Sequence, residues 1–193
     1  MRAIAATDAA RQLWLLAALY GLPSTLHAAQ LLEAGARFAL PQILGAALVL
    51  APFAGMLGII IASALLYWTG RWIGGQGSLA AIKAAVAWSN LPNVCSIAVW
   101  GYIVWIMGSA AFTSALPEYY LRGVFPPGLA VMFAVQGGAA IWSFILLLQA
   151  LGEVQGFSAW KALLNVLIPF MIVTAVLWMV MGFAMWLTGG MQR

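Results

Sequence analysis

The chain has one cysteine, one histidine and four acidic residues among 193 positions, and each scarcity removes a class of function. A single cysteine, Cys95, leaves no partner for an intramolecular disulfide. One histidine and one cysteine are too few ligands for a metal centre. Asp8, Glu33, Glu118 and Glu153 all lie outside the long apolar runs, whereas ion and proton pathways leave ionisable groups at mid-membrane. No Asp or Glu within those runs is available to orient His27 as a catalytic base. The expectation is a protein that is not an enzyme, with no catalytic residue, cofactor or metal. The net charge of +4 comes from scattered Lys and Arg; without a basic stripe, nucleic acid is not an expected partner.

What the chain has is hydrophobicity. Apolar residues make up 65% and charged residues 6%, against about 45–50% and about 25% in soluble proteins. No Asp, Glu, Lys or Arg occurs between Arg37 and Arg71, Lys83 and Glu118, Arg122 and Glu153, or Lys161 and Arg193, and each gap holds 30 or more residues. A hydrocarbon core of about 30 Å needs about 20 helical residues, so each gap contains one span. An earlier segment, Gln12 to Leu32, has the length of a span but carries Pro23, Ser24, Thr25, His27 and Gln30 in its second half. Asp8 in the would-be n-region and Leu26-His27-Ala28 at the would-be cleavage site speak against a signal peptide. An interfacial or re-entrant helix is the other alternative to a polar, bundle-facing first span. The predicted architecture is an all-α integral membrane protein forming one domain over residues 1–193. It is a five-helix bundle with a short, polar first span, and its spans lie near 12–32, 40–68, 84–107, 127–150 and 162–187.

Lys and Arg do not decide the topology. Four or five spans both divide the basic residues five against three, and the positive-inside rule gives a cytoplasmic N-terminus either way. With five spans the loops after the second and fourth spans face the cytoplasm; with four they face outward.

Small residues suggest close helix packing. Ala47, Ala51 and Gly55 lie four apart, with Ala54, Gly58 and Ala62 beside them and Ala134 and Gly138 further on. This is the spacing that lets membrane helices approach closely, and intramolecular packing is the expected use. Trp68, Trp72, Trp160 and Trp186 are placed as headgroup anchors, whereas Trp88, Trp142 and Trp178 are expected to pack against helices.

Two polar stations interrupt the apolar sequence, Gly70 to Ser78 and Glu153 to Lys161. The glycines suit tight turns, Ser78 and Ser158 suit helix N-caps, and Lys83 and Lys161 can snorkel to headgroups. The glycines could also nest an anion, but no Lys-Ser or Lys-Thr pair follows to make a P-loop. Gln76-Gly77-Ser78, Lys83 and Pro92 align with Gln155-Gly156, Ser158, Lys161 and Pro169 to within one or two residues, which suggests a repeated hairpin with a kink at a common position. Ser89, Asn90 and Asn165 are candidates to satisfy backbone groups loosened by the prolines. Glu153 could pair with Arg71 or Lys83.

The combination Gly74-Gly75-Gln76-Gly77-Ser78, then Ala87-Trp88-Ser89-Asn90-Leu91-Pro92, then Glu153-Val154-Gln155-Gly156-Phe157-Ser158 leading to Pro169 resembles the Yip family of multispan membrane proteins, the Ypt/Rab-interacting proteins and their bacterial relatives. The resemblance covers most of the chain from about residue 40. It implies five transmembrane helices, a cytosolic N-terminus and a lumenal or external C-terminus. The signature positions and possible interaction face are Gly74, Gly75, Gly77, Ser78, Pro92, Glu153, Gly156, Ser158 and Pro169. Eukaryotic members act as membrane adaptors linked to prenylated GTPases and trafficking. With so few residues before the first span, the expectation is a compact bacterial-type member of the inner membrane that does not bind a Rab-type GTPase. The expected function is noncatalytic membrane organisation or adaptor work. Its expected partners are membrane lipids and a membrane or cytoplasmic protein, with homo-oligomerisation left open. The alternative is a lipid or small-solute translocator whose path runs past Ser24, His27 and Gln30. An intramembrane enzyme would need His27 beside Cys95 or a serine.

Overall fold

The computed structural model describes residues 2–113 and 127–190, with side chains described from residue 12 onward and not for 127, 184 and 187–190. Glu118, Arg122 and Arg193, which enter the charge count, lie outside the described residues. Among those residues all regular structure is helical: α1 (Arg2–Leu31), α2 (Leu40–Trp72), α3 (Leu79–Ser89), α4 (Ser96–Met107), α5 (Pro127–Gln155) and α6 (Ala159–Gly190), with short 3-10 turns between some of them. Among the described residues four segments are long and apolar enough to cross a membrane, namely Leu40–Trp72, Leu91–Phe112, Gly128–Gln155 and Ala159–Phe183.

The pairing of α1 with α2 is the most extensive helix contact, and it rests on two glycines. A Cβ on Gly21 would lie 1.7 Å from the Ala51 carbonyl oxygen, and one on Gly55 would lie 1.8 Å from that of Ala17. The backbones touch where neither helix has a side chain. Ala47, Ala51 and Gly55 thus face α1 and are buried, as the small-residue spacing predicts. Gly58 and Gly138 differ: a Cβ on either would meet nothing within 4 Å, and Ala134 is exposed. Gly58, Ala134 and Gly138 open outward, so small residues mark no contact at these three positions.

The third predicted span, 84–107, is broken. Ser89 Oγ and Asn90 Nδ2 both donate to the Val86 carbonyl, at 3.1 and 2.9 Å, and so take up a carbonyl at the C-terminal end of α3. A 3-10 turn over Leu91–Cys95 carries Pro92, whose missing N–H and fixed φ disfavour α-helical continuation. By contrast Pro23, Pro52 and Pro169 sit inside continuous helices. Pro92 ends a helix and Pro169 does not, so the two hairpins share no common break.

Polar groups of α1 are used inside the bundle. The Tyr20 hydroxyl donates to the Ala87 carbonyl, and Thr25 Oγ1 lies 2.9 Å from the Leu22 carbonyl and 3.1 Å from that of Ala47. His27 meets Trp100 edge to face at 6.5 Å. Trp100 in turn stacks on Phe112 at 5.8 Å, within a core that includes Leu26, Ile43 and Ala47. A second core at the other end of α2 joins Leu66, Ile82, Val86, Leu151 and Ala162.

The outer surface is apolar. Only 6% of the most hydrophobic stretch of α5, and of α6, is buried, which suits lipid as solvent and not water. Trp68, Trp72, Trp160 and Trp186 are exposed, as anchors should be. Trp88, Trp142 and Trp178 are exposed too, at 52%, 64% and 71%. They do not pack between helices as their position in the sequence suggests.

Candidate interaction face

The two stations lie against each other. At the first, α2 ends in Ile73 and Gly74, the latter at φ +90°. The Gly75 N–H returns to the Gly70 carbonyl at 2.7 Å and the Gly74 N–H to that of Arg71 at 3.3 Å. At the second, α5 ends before Gly156 at φ +69°, and the Phe157 N–H returns to the Gly152 carbonyl at 2.9 Å. Both patterns are glycine-dependent helix caps that satisfy carbonyls left over at a C-terminus. The equivalent glycines are therefore Gly74 and Gly156. The sequence alignment pairs Gly77 with Gly156 instead, so the true repeat is in how the helices stop.

Gln155 joins the stations. Its side chain is 1% exposed and occupies the space that glycines leave: a Cβ on Gly70 or Gly75 would lie 2.2 or 2.1 Å from Gln155 Oε1. Gln155 Nε2 donates to the Leu66 carbonyl at 3.4 Å, and the Gln76 N–H donates to the Gln155 carbonyl at 3.2 Å. Gly77 completes the seat, since a Cβ there would lie 2.9 Å from Val154. Gly75 and Gly77 are thus required by close approach, and only Gly74 and Gly156 by backbone conformation.

Beneath this seat, Thr69 binds Asn165. Thr69 Oγ1 lies 2.6 Å from Asn165 Oδ1, 3.2 Å from the Asn165 carbonyl and 2.9 Å from the Leu65 carbonyl. Pro169 has no N–H for the carbonyl four residues before it, which is Asn165. Thr69 therefore reaches a carbonyl that the proline frees. Asn165 Nδ2 is buried and without a partner. Turning the carboxamide over would give Nδ2 a bond to the Thr69 hydroxyl but strip Oδ1, so either orientation leaves one amide atom unpaired.

The remaining expectations fall as follows. Ser78 Oγ caps α3 by accepting the Ala81 N–H at 3.2 Å, whereas Ser158 supplies only its carbonyl, to the Ala162 N–H at 3.0 Å. Arg71 lies over the Tyr67 ring, 5.2 Å from its centroid, and donates to the Tyr67 hydroxyl at 3.3 Å. Among the described residues no ion pair within 4.0 Å ties Glu153 to Arg71 or Lys83. Glu153 instead borders an outer groove of about 710 Å³ with Gln149, Gly152 and Phe157. Pro92 stands apart in its 3-10 turn, while Pro169 acts through Asn165. Among the described residues no group of three His, Cys, Asp or Glu side chains converges.

Sequence reasoning missed Gln155 and Thr69 as the central side chains. Asn165 was legible from its spacing to Pro169, but its partner on α2 was not.

Multiple apolar helices packed as a bundle, with polar groups gathered at helix ends, define a multi-pass membrane protein. The model of the Yip1 domain family matches residues 2–181, and the chain belongs to that family. No curated protein and no solved structure matches it.

Proposed function

We propose that this protein is a noncatalytic membrane organiser that presents the joined stations as a preformed docking face. The observation that carries this reading is the seating of Gln155 between Gly70 and Gly75. It fixes two helix ends against each other and leaves Gly74, Gln76, Ser78, Glu153, Gly156 and Ser158 exposed around them. A rigid polar rim built on helix ends costs little to order on binding, which favours a protein partner. In-cell photo-crosslinking from Gln76 and Ser158 is expected to capture a discrete protein band. Labelling of lipid alone at both positions would overturn the proposal.

In this reading α1 is a fifth span, since its 30 residues exceed the length that a bilayer requires. The N-terminus is cytoplasmic, the C-terminus external, and the membrane a bacterial inner membrane. Reporter fusions at the two termini should report opposite sides; a shared side would remove the fifth span. Translocation past the polar half of α1 has weaker support. Ser24 donates back to the Tyr20 carbonyl at 3.1 Å, and Ser24, His27 and Gln30 border neither the cavity of about 580 Å³ nor the groove of about 710 Å³.

A further inference from the structure

We propose a phospholipid site at the corner between α1 and α2, at the opposite end of α2 from the stations and independent of the role given to them. A cavity of about 580 Å³ is lined there by Ala29, Leu32, Phe38, Ile43, Ala46 and Leu50, among others, a volume within the usual range of ligand pockets. Two polar side chains also border it, and both are engaged internally. Thr25 donates to backbone carbonyls, and Gln42 Oε1 accepts the Ala39 N–H at 3.0 Å. Apart from Gln42 Nε2, which makes no hydrogen bond among the described residues, the wall offered to a ligand is apolar.

Its depth selects an acyl chain. From Leu40 to Leu50 α2 rises about 15 Å, half of a hydrocarbon core of about 30 Å and so one leaflet. Ala46 and Leu50 are exposed as well as lining, which opens the groove sideways to lipid. Two charges are sequence neighbours of the lining residues, Glu33 between Leu32 and Ala34 and Arg37 before Phe38. Arg37 is the last charged residue before the charge-free run of α2, and it follows the 3-10 turn Ala34–Ala36 that Glu33 precedes. Both side chains are exposed, and among the described residues neither makes a hydrogen bond or ion pair through its charged group. The corner is held in shape by the turn after α4, since a Cβ on Gly35 would lie 2.4 Å from the Ser109 carbonyl oxygen.

A cation and an anion adjoining the residues that line an apolar slot one leaflet deep fit a zwitterionic amino-phospholipid. Its phosphate meets Arg37, its ammonium meets Glu33, and one acyl chain lies along α2.

The test uses the full chain in bilayers of mixed zwitterionic and anionic lipid. Phosphatidylethanolamine or phosphatidylglycerol carries a photoactivatable acyl chain, and labelled peptides are read by mass spectrometry. The ethanolamine lipid should label residues 25–50 above the bulk-lipid face of α6, Phe170 to Trp186. Ala46→Trp should bring that labelling down to the α6 level. Arg37→Gln should weaken it about tenfold, the loss expected for one charge-assisted hydrogen bond, and Glu33→Gln should abolish the preference for ethanolamine over glycerol. Labelling at the corner no stronger than on α6, unchanged by Ala46→Trp, or matched by a photoactivatable alkane without a headgroup would overturn the proposal.

Discussion

Thr69 Oγ1 on α2 faces two acceptors of Asn165 on α6, 2.6 Å from the carboxamide oxygen and 3.2 Å from the carbonyl that Pro169 leaves without its helical donor, with one proton to share between them. Asn165 is 0% exposed, so water is not a substitute partner. Removing the hydroxyl with Thr69→Val should cost about 1–3 kcal/mol, the penalty of stranding buried acceptors. Unfolding in mixed detergent micelles measures it. Pro169→Ala restores an N–H to the Asn165 carbonyl, so Thr69→Val should cost less in that background. Strict additivity in the cycle would separate the proline from the hydroxyl.

Gly75→Ala should destabilise by about 1–3 kcal/mol through overpacking, because its Cβ would lie 2.1 Å from Gln155 Oε1. Shortening the obstacle should compensate. Gly75→Ala combined with Gln155→Ala is expected to be more stable than the sum of the two single changes, read as detergent-unfolding midpoints. Independence of the two sites would mean that the seat is not what requires this glycine.

Gly74→Ala tests a different cause at the adjacent position. A Cβ there meets nothing within 4 Å, but φ is +90°. The cost is conformational, about 1 kcal/mol, and Gln155→Ala should not relieve it.

Gly21→Leu and Gly55→Leu should each drive α1 from α2, since both glycines face bare carbonyls. Trapping by a flexible bis-maleimide between cysteines engineered at Leu13 and Met56, which both pack against the cluster of Leu16, Ala17 and Ile59, should fall sharply in both. Gly58→Leu and Gly138→Leu point into open space and should leave trapping unchanged.

Glu153→Gln should leave the unfolding midpoint where it is, because no described basic residue pairs with that carboxylate. A marked drop would reveal an electrostatic partner outside the described residues.

The apolar spans were legible because charge-free runs of 30 or more residues admit no other solvent. Ser78 was legible as a cap because the signal is local, its Oγ accepting from an N–H three residues on. Gln155 was not: its contacts lie on Leu66, Gly70 and Gly75, about eighty residues away, and nothing local announces them. Pro92 and Pro169 look alike in sequence, yet one ends a helix and the other is accommodated. At Pro169 the freed carbonyl has Thr69 Oγ1, a hydroxyl on another helix, 3.2 Å away. Trp88, Trp142 and Trp178 were misjudged because depth along a span says nothing about which way a ring faces.

The beginning of α6 is held by Ala162 and Asn165 within the bundle, while Phe170, Val176, Trp178 and Phe183 are exposed. One end is a fixed pivot and the remainder is positioned mainly by the surrounding acyl chains. Thickening or thinning the bilayer changes the tilt that matches a hydrophobic length to its surroundings. In this molecule that adjustment should fall on the outward-facing C-terminal part of α6 and not on the glycine-locked pair α1 and α2. The C-terminal part of the last helix should therefore follow bilayer thickness more than the α1–α2 pair does.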